Sequence, residues 1–168
     1  ADNTPEKNQE LTVTEGDLIR RGSNYYYGDE KDPFTGTGIR SQENGAIERE
    51  IPYLKGKKHG TMTGYNEDGS KSFDLSFNWG KKHGDMILYH TNGKKRHISP
   101  HVEGKTHGTV VSYHREGSKM YEMPYVDGKR QGTYFEYYKN GSKRVERPWA
   151  SDLQHGQTYY YHANGKKK

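Results

Sequence analysis

Four histidines, His59, His83, His107 and His155, occupy places 24 or 48 residues apart, with Gln131 filling the missing place. Imidazoles in that number invite a metal ion or a general base. Metal ligands must lie within about 3–4 Å of each other. Residues that recur at a constant step are spread along the molecule, so these four could bind metal only by pairing with a second set such as His90, His114 and His162. A turn histidine that packs on a neighbour and bonds to backbone fits the repetition better. Glu50, Asp74, Glu122 and Glu146 form a similar series. Acid–base catalysis needs two carboxylates about 5–10 Å apart in unlike environments. These acids have like environments in every copy, and the expected role is cross-strand pairing with Lys and Arg. There is no cysteine, no Gly-x-Ser-x-Gly and no His-Glu-x-x-His. Gly104-Lys105-Thr106 has the form of a P-loop's end, but Ser99 stands where the loop needs glycine. The expectation is a chain that is not an enzyme and carries no metal and no cofactor.

Binding chemistry is better represented. The chain has 15 Tyr, while hydrophobic residues make up only 28% and charged residues 29%. Tyrosine carries an apolar ring with a polar tip and can be half buried and half wet. A thin sheet fits this balance better than a thick core. Tyr65, Tyr89, Tyr113 and Tyr137 recur every 24 residues, and Tyr125 and Trp149 belong to another column of that step. These six are the candidate partner-binding residues, acting as apolar anchors. The other reading of stacked rings in a repeat array is a structural spine. Apolar residues are too few to bury both faces of a thin sheet, so some rings should stay accessible. Lys57, Lys58, Lys81, Lys82, Lys105, Lys129 and Arg130 form a basic edge, and Lys71, Lys94, Lys95, Lys119 and Lys143 fall near the opposite one. Charged margins keep a thin aromatic sheet soluble, and they also suit an anionic partner. The net charge is +5. Asp2, Glu6, Glu10, Glu15 and Asp17 against Lys7 and Arg20 make residues 1–20 −3, leaving +8 on the rest.

The elements that position these residues follow from the glycines. Gly36, Gly60, Gly84, Gly108, Gly132 and Gly156 form one ladder of 24-residue steps; Gly45, Gly69, Gly93, Gly117, Gly141 and Gly165 form a second; Gly56, Gly80, Gly104 and Gly128 form a third. Self-similarity at this period marks a stacked repeat array. Each unit has two turn signals, one of the Gly-Lys-Lys-His-Gly type (56–60, 80–84) and one Asn-Gly or Asp-Gly (44–45, 68–69, 92–93, 140–141, 164–165). Between them lie segments of five to eight residues rich in Tyr, Val, Ile, Thr and Phe. The predicted unit is therefore two antiparallel strands and two turns. Stacked units make an all-β, single-layer antiparallel β-solenoid of hairpins. Pro52, Pro100, Pro124 and Pro148 recur within the second strand and require a bend there, in every unit except the one with Ser76.

Tyr121-Glu-Met-Pro-Tyr-Val-Asp-Gly-Lys-Arg-Gln-Gly132 resembles a MORN repeat, and the likeness runs from about residue 25 to 165. The family's inner glycine is replaced by Ile51, Leu75, Ser99, Met123 and Arg147, and the unit is slightly long. Both departures resemble the bacterial MORN-variant subgroup. The stretch Leu18-Ile-Arg-Arg-Gly-Ser-Asn-Tyr-Tyr-Tyr27 with Pro33-Phe-Thr-Gly36 is similar to the opening of chains labelled as MORN-variant antitoxin components. The resemblance implies a curved single-layer sheet and a role in binding a partner, with phospholipid contact and scaffolding as the family's other associations.

The resulting expectation is a flexible tether over residues 1–17 and a repeat domain over 18–168, with about six units, the first and last incomplete. The first functional reading is a non-catalytic binder of another protein, such as a toxin or effector, in an antitoxin or immunity role. The alternative is a peripheral binder of anionic phospholipid, or a scaffold, at a membrane surface. Nucleic acid ranks third, since no recognition motif accompanies the basic and aromatic residues. Self-association through the strand ending Tyr159-Tyr160-Tyr161 is a further option, unless the terminal lysines blunt that edge. A chain beginning at Ala1 with no apolar membrane span favours a secreted, periplasmic or envelope-attached location over a cytoplasmic one.

Overall fold

In the computed structural model, residues 11–168 are described. Strands β1 (Thr12–Thr14), β2 (Leu18–Arg21) and β3 (Asn24–Tyr27) precede the repeats. The repeats contain β4 (Gly36–Ser41), β5 (Ile47–Leu54), β6 (Lys57–Lys58), β7 (Gly60–Tyr65), β8 (Lys71–Asn78), β9 (Lys81–Tyr89), β10 (Lys95–Val102) and β11 (Lys105–Thr106). They continue with β12 (Gly108–Tyr113), β13 (Lys119–Val126), β14 (Lys129–Arg130), β15 (Gly132–Tyr137), β16 (Lys143–Ala150), β17 (Leu153–Gln154) and β18 (Tyr159–Tyr160). The long strands follow one another in chain order, β1-β4-β5-β7-β8-β9-β10-β12-β13-β15-β16-β17, in one sheet that is antiparallel apart from the β1–β4 pair. The predicted solenoid of hairpins is the observed architecture.

Both turns of the unit can be read in backbone angles. Lys55-Gly56, Trp79-Gly80, Glu103-Gly104, Asp127-Gly128 and Ser151-Asp152 have positive φ at both positions, for example +48° and +84° at Trp79-Gly80. This is the mirror-image two-residue turn whose twist matches a hairpin. The Asn-Gly loops are different. Positive φ falls on the glycine alone, the Asn or Asp side chain accepts the amide two residues on, and the register shifts by one residue after Arg40, Gly64, Leu88 and Glu136, as it does after Ser112 at the Glu116-Gly117 loop. That is a type I turn with a glycine bulge. Main-chain bonds tie successive units together at the first kind of turn: the Gly80, Gly104 and Gly128 amides donate to the Lys58, Lys82 and Thr106 carbonyls, each at 2.8 Å.

The proline bend takes a definite form. Opposite Pro52, Pro100 and Pro124 the neighbouring strand is split into a two-residue piece and a six-residue piece, as β6 is from β7, β11 from β12 and β14 from β15, and opposite Pro148 it is split into the two short strands β17 and β18. Opposite Ser76, β9 runs as one nine-residue strand, yet the register slips there as well, from Leu75 opposite Met86 to Phe77 opposite Lys82, so the expectation that this unit lacks the irregularity is not met. Proline has no amide to donate and is tolerated at this point because the ladder already slips there. The glycine ladder has its reason here too. A Cβ on Gly108 would stand 3.0 Å from Pro100 Cγ, in a backbone with φ +111°.

Strand alternation sorts the side chains onto two faces. Arg49, Ile51, Tyr53, Met62, Leu75, Val110, Met123 and Val145 share one face, called inner here because it holds every buried residue of the repeats. Glu50, Thr63, Asp74, Tyr89, Glu122 and Phe135 lie on the outer face. The main hydrophobic cluster is at the start of the sheet, where Val13, Phe34, Ile51 and Tyr53 are buried and Leu18, Tyr25 and Met62 pack on them.

The tether predicted for residues 1–17 has its first ten residues outside the described ones. Over the rest the structure differs. Thr12–Thr14 pair with β4, Val13 is buried and Glu15 forms an ion pair with Arg49 at 2.9 Å. A polar stretch can be ordered when its backbone completes a sheet edge, and here Thr37 N donates to Leu11 O at 2.8 Å.

Candidate functional site

The six candidate partner-binding residues divide between opposite faces. Tyr65, Tyr89, Tyr113 and Tyr137 stand on the outer face, and Tyr125 and Trp149 stand on the inner one. All six are half-buried. They do not form one continuous surface.

The outer tyrosines are held by their hydroxyls. Tyr65 donates to Glu50 at 2.9 Å, Tyr89 to Asp74 at 2.7 Å, and Tyr137 to Glu122. Tyr161 continues the series onto Glu146 at 3.1 Å. Each acid lies 15 residues before its tyrosine; for Glu50, Asp74 and Glu122 it stands on the strand paired directly with the tyrosine's own. Lysine completes the unit from three residues earlier on the acid's own strand: Lys71 to Asp74 (3.1 Å), Lys119 to Glu122 (2.8 Å) and Lys143 to Glu146 (3.3 Å). The expected cross-strand pairing with Lys and Arg is corrected accordingly. The cation comes along the strand, and the cross-strand partners are Tyr and, for Asp74, Thr63 at 2.8 Å. The reason is the one-residue bulge: it sets Lys71, Lys119 and Lys143 opposite Tyr65, Tyr113 and Tyr137, and so on the acid's face, although positions i and i+3 of a regular strand point to opposite sides. Tyr113 is the exception because Ile98 stands where its acid would be.

The electrostatics agree with this reading. Burial, and then the Asp74 carboxylate, push the Tyr89 phenol up to about 12. Asp74 is held below its usual range, its desolvation being outweighed by hydrogen bonds from Tyr89, Thr63 and Lys71. Glu122 is lowered in the same manner by Lys119 and Tyr137. The series is a polar ladder that joins adjacent units, and its hydroxyls are already engaged.

The basic edge is also partly engaged. Lys57 donates to Ser23 O at 2.6 Å, Lys58 lies 5.5 Å over the Phe77 ring, Lys81 pairs with Glu103 at 2.7 Å, and Arg130 pairs with Asp152 at 3.1 Å. Among the described residues, Lys82, Lys105 and Lys129 have no ion pair. Four exposed apolar residues sit at the same turns, Trp79, Val102, Val126 and Leu153. Two of the four histidines bond to backbone, His59 Nδ1 accepting from Trp79 N at 3.5 Å and His107 Nδ1 from Asp127 N at 3.4 Å; Gln131 does the same for Ser151 N at 3.0 Å, while His83 lies 3.8 Å from the Glu103 carboxylate. The three that accept a backbone amide fix the left-handed turn of the next unit. Among the described residues no three His, Asp or Glu side chains converge as metal ligands would.

The inner face has a different character along its length. At the first unit the chain covers it. The Tyr25 and Phe34 rings pack edge-on against Tyr53, with centroids 5.2 Å and 5.7 Å away, and Tyr53 is only 4% exposed. In the later units none of the described residues forms a second layer over this face. A row of rings crosses it, with His97 6.5 Å from Tyr121 and Tyr121 5.9 Å from Tyr134. The row leads into a groove of about 240 Å³ lined by Tyr121, Met123, Tyr125, Tyr134, Arg147 and Trp149, with Arg130 stacked 3.8 Å over the Trp149 ring. Tyr121, Tyr134 and Arg147 were not among the residues expected from sequence. The signal was present in their parity, since Tyr121 and Tyr125 are an even number of positions apart and Arg147 replaces the family's inner glycine. At the C-terminal edge the chain turns back on itself, with Tyr161 bridged to Lys167, Lys168 N donating to Tyr160 O at 2.8 Å, and Lys167 over the Tyr159 ring. The strand expected to be an open edge is therefore paired by its own tail.

A family model described as MORN repeat variant matches residues 106–127 and 130–150. These two segments, β11 to β13 and β14 to β16, are similar to that repeat, and the remaining units share their step and turn geometry. Among curated proteins, none matches the chain.

Proposed function

We propose that this array of MORN-type repeats is a non-catalytic module that binds another protein across the inner face of its later units. One observation carries the reading: the inner face is covered by aromatic side chains at the first unit and uncovered at Tyr121, Tyr125, Tyr134 and Trp149. Exposed rings on a rigid sheet lose little entropy on binding and serve as interface anchors. The outer tyrosines have a structural part in this reading, and the anchoring passes to the inner row. A toxin or effector as the bound protein, with this chain as its antitoxin or immunity partner, is supported by the likeness of residues 18–36 to the opening of such chains.

The test is cross-linking capture from the source cells followed by identification of what is held. Tyr125→Ala and Trp149→Ala should abolish capture, while Tyr89→Phe and Tyr137→Phe should leave it. Loss confined to the outer-face variants would reject the assignment.

A second reading has its own observation. Lys82, Lys105 and Lys129 alternate along one edge with exposed Trp79, Val102, Val126 and Leu153. Cations interleaved with apolar tips suit an anionic bilayer surface, each cation contributing about 1 kcal/mol. Sedimentation with phosphatidylserine vesicles tests it, with the three lysines changed to Glu as the comparison. Binding unaffected by that change would end this reading.

A further inference from the structure

Two side-chain nitrogens in the inner groove are buried without a hydrogen-bond partner, Arg147 Nε and Trp149 Nε1. Buried donors are almost always satisfied, and those that are not call for an explanation. The neighbouring charges do not supply one. Glu136, an acid on this face, is held by Arg144 at 2.8 Å, and Asp152 is held by Arg130 at 3.1 Å. Arg147 is therefore a cation without an ion pair among the described residues, set beside an indole N–H and two tyrosine rings.

The same sheet contains an inner-face arginine that does hold an acid, at the repeat position that Val145 fills here. At the first unit, inner-face Arg49 receives the Glu15 carboxylate through Nε and Nη2, at 3.0 Å and 3.2 Å, from a segment that crosses over the sheet. The Tyr25 and Phe34 rings that follow in the chain cover Tyr53, which occupies the Trp149 column. A carboxylate on the arginine and rings on the aromatic column is how this face is closed when the chain closes it itself.

We infer that the groove is a carboxylate site: the Arg147 guanidinium and the Trp149 indole N–H receive a side-chain carboxylate from an acidic segment of the bound protein, and the aromatic residues flanking that carboxylate lie on Tyr121, Tyr125 and Tyr134. The inference rests on the protein-binding reading and names the chemistry of that partner. Guanidinium and indole N–H both donate and neither accepts, so the complement is an acceptor, and the unpaired positive charge selects an anionic one. A groove of about 240 Å³ admits one or two side chains, with the ring row leading away from it as the track for an extended chain.

The experiment uses the whole chain labelled with 15N. Its two tryptophans give two indole N–H signals, assigned by Trp79→Phe. The probes are two terminally blocked pentapeptides, one alternating tyrosine and glutamate and one alternating tyrosine and glutamine. The glutamate peptide should move the Trp149 signal and leave that of Trp79 in place. The glutamine peptide should bind about tenfold more weakly, the factor expected for loss of one charge-assisted hydrogen bond. Arg147→Met should make the two peptides equal, and Arg147→Lys should keep part of the preference. If Arg147→Met does not fold, the comparison of peptides on the unaltered chain decides alone. Equal affinity for the two peptides would overturn the carboxylate site while leaving the face a protein-binding surface. A Trp149 signal moved by neither peptide would also overturn it, and the capture experiment would then report separately on the broader reading. A Trp149 signal that shifts with protein concentration alone would assign the groove to a second copy of this chain and overturn it as well.

Discussion

Replacing Tyr89 with Phe removes one oxygen and leaves the ring in place, so it isolates the rung between Tyr89 and Asp74. That hydroxyl donates to a carboxylate oxygen at 2.7 Å, and the Asp74 side chain is only 13% exposed. Hydrogen bonds to charged groups contribute about 1.5–3 kcal/mol. Two features place the cost at the low end. Thr63 and Lys71 still donate to Asp74 after the change, at 2.8 Å and 3.1 Å, so the carboxylate is not stranded. Tyr89 is also half-buried, and solvent screens part of the attraction. The expected loss is about 1–1.5 kcal/mol, which in a chain of this size lowers Tm by roughly 2–6 °C. The molecule contains its own control. Tyr113 occupies the equivalent place one unit on, facing Ile98 instead of an acid, so Tyr113→Phe should cost less than about 0.5 kcal/mol. Urea unfolding followed by circular dichroism, with equal m-values required, measures both. The alkaline limb adds a second readout. A phenol raised to about 12 contributes stability fully below pH 10 that is lost as pH rises toward 12, so Tyr89→Phe should flatten that decline. If the two substitutions cost the same, the hydroxyl-to-carboxylate rung is not what stabilises the outer face.

Three further outcomes are expected. Asp74 and Glu122 are lowered in the folded chain, so their contribution is present above the ordinary carboxylate range and is lost as pH falls through their folded values; a Tm profile from pH 7 to pH 3 should be flatter for Glu122→Gln than for the parent. Gly108→Ala meets both a positive φ and the Pro100 ring and should cost at least about 2 kcal/mol by urea titration, while Gly45→Ala, with open space around it, should cost about 1 kcal/mol. Gly64→Ala has ordinary φ but would press on Phe73, whose ring atom lies where the new Cβ belongs; a loss of about 1–3 kcal/mol with a shifted near-UV aromatic spectrum is the expected result.

Much of the fold was legible because its determinants are local. The 24-residue step, the two turns, the hairpin pairing and the irregularity opposite each proline all depend on residues within one unit, although the same slip opposite Ser76 was not foreseen. Side-chain parity was legible as well, although combining Tyr125 and Trp149 with the Tyr89 series crossed from one face to the other. That error has a physical origin. Period-two alternation says which residues share a face within a strand, but relating one strand to the next needs the register, and the one-residue bulge after each Asn-Gly loop changes it.

The amino-acid sequence by itself determined a repeating antiparallel ribbon with basic margins and ordered columns of rings, because turn chemistry and strand period act over a few residues. Tertiary structure alone decided which of those columns remain uncovered. Tyr53, Tyr125 and Trp149 occupy one repeat position, yet Tyr53 is sealed by Tyr25 and Phe34 while Trp149 lies in a groove with an unpartnered nitrogen. The difference comes from a segment folding back over the first unit, and burial depends on what lies above a residue in space, which no repeating pattern along the chain encodes.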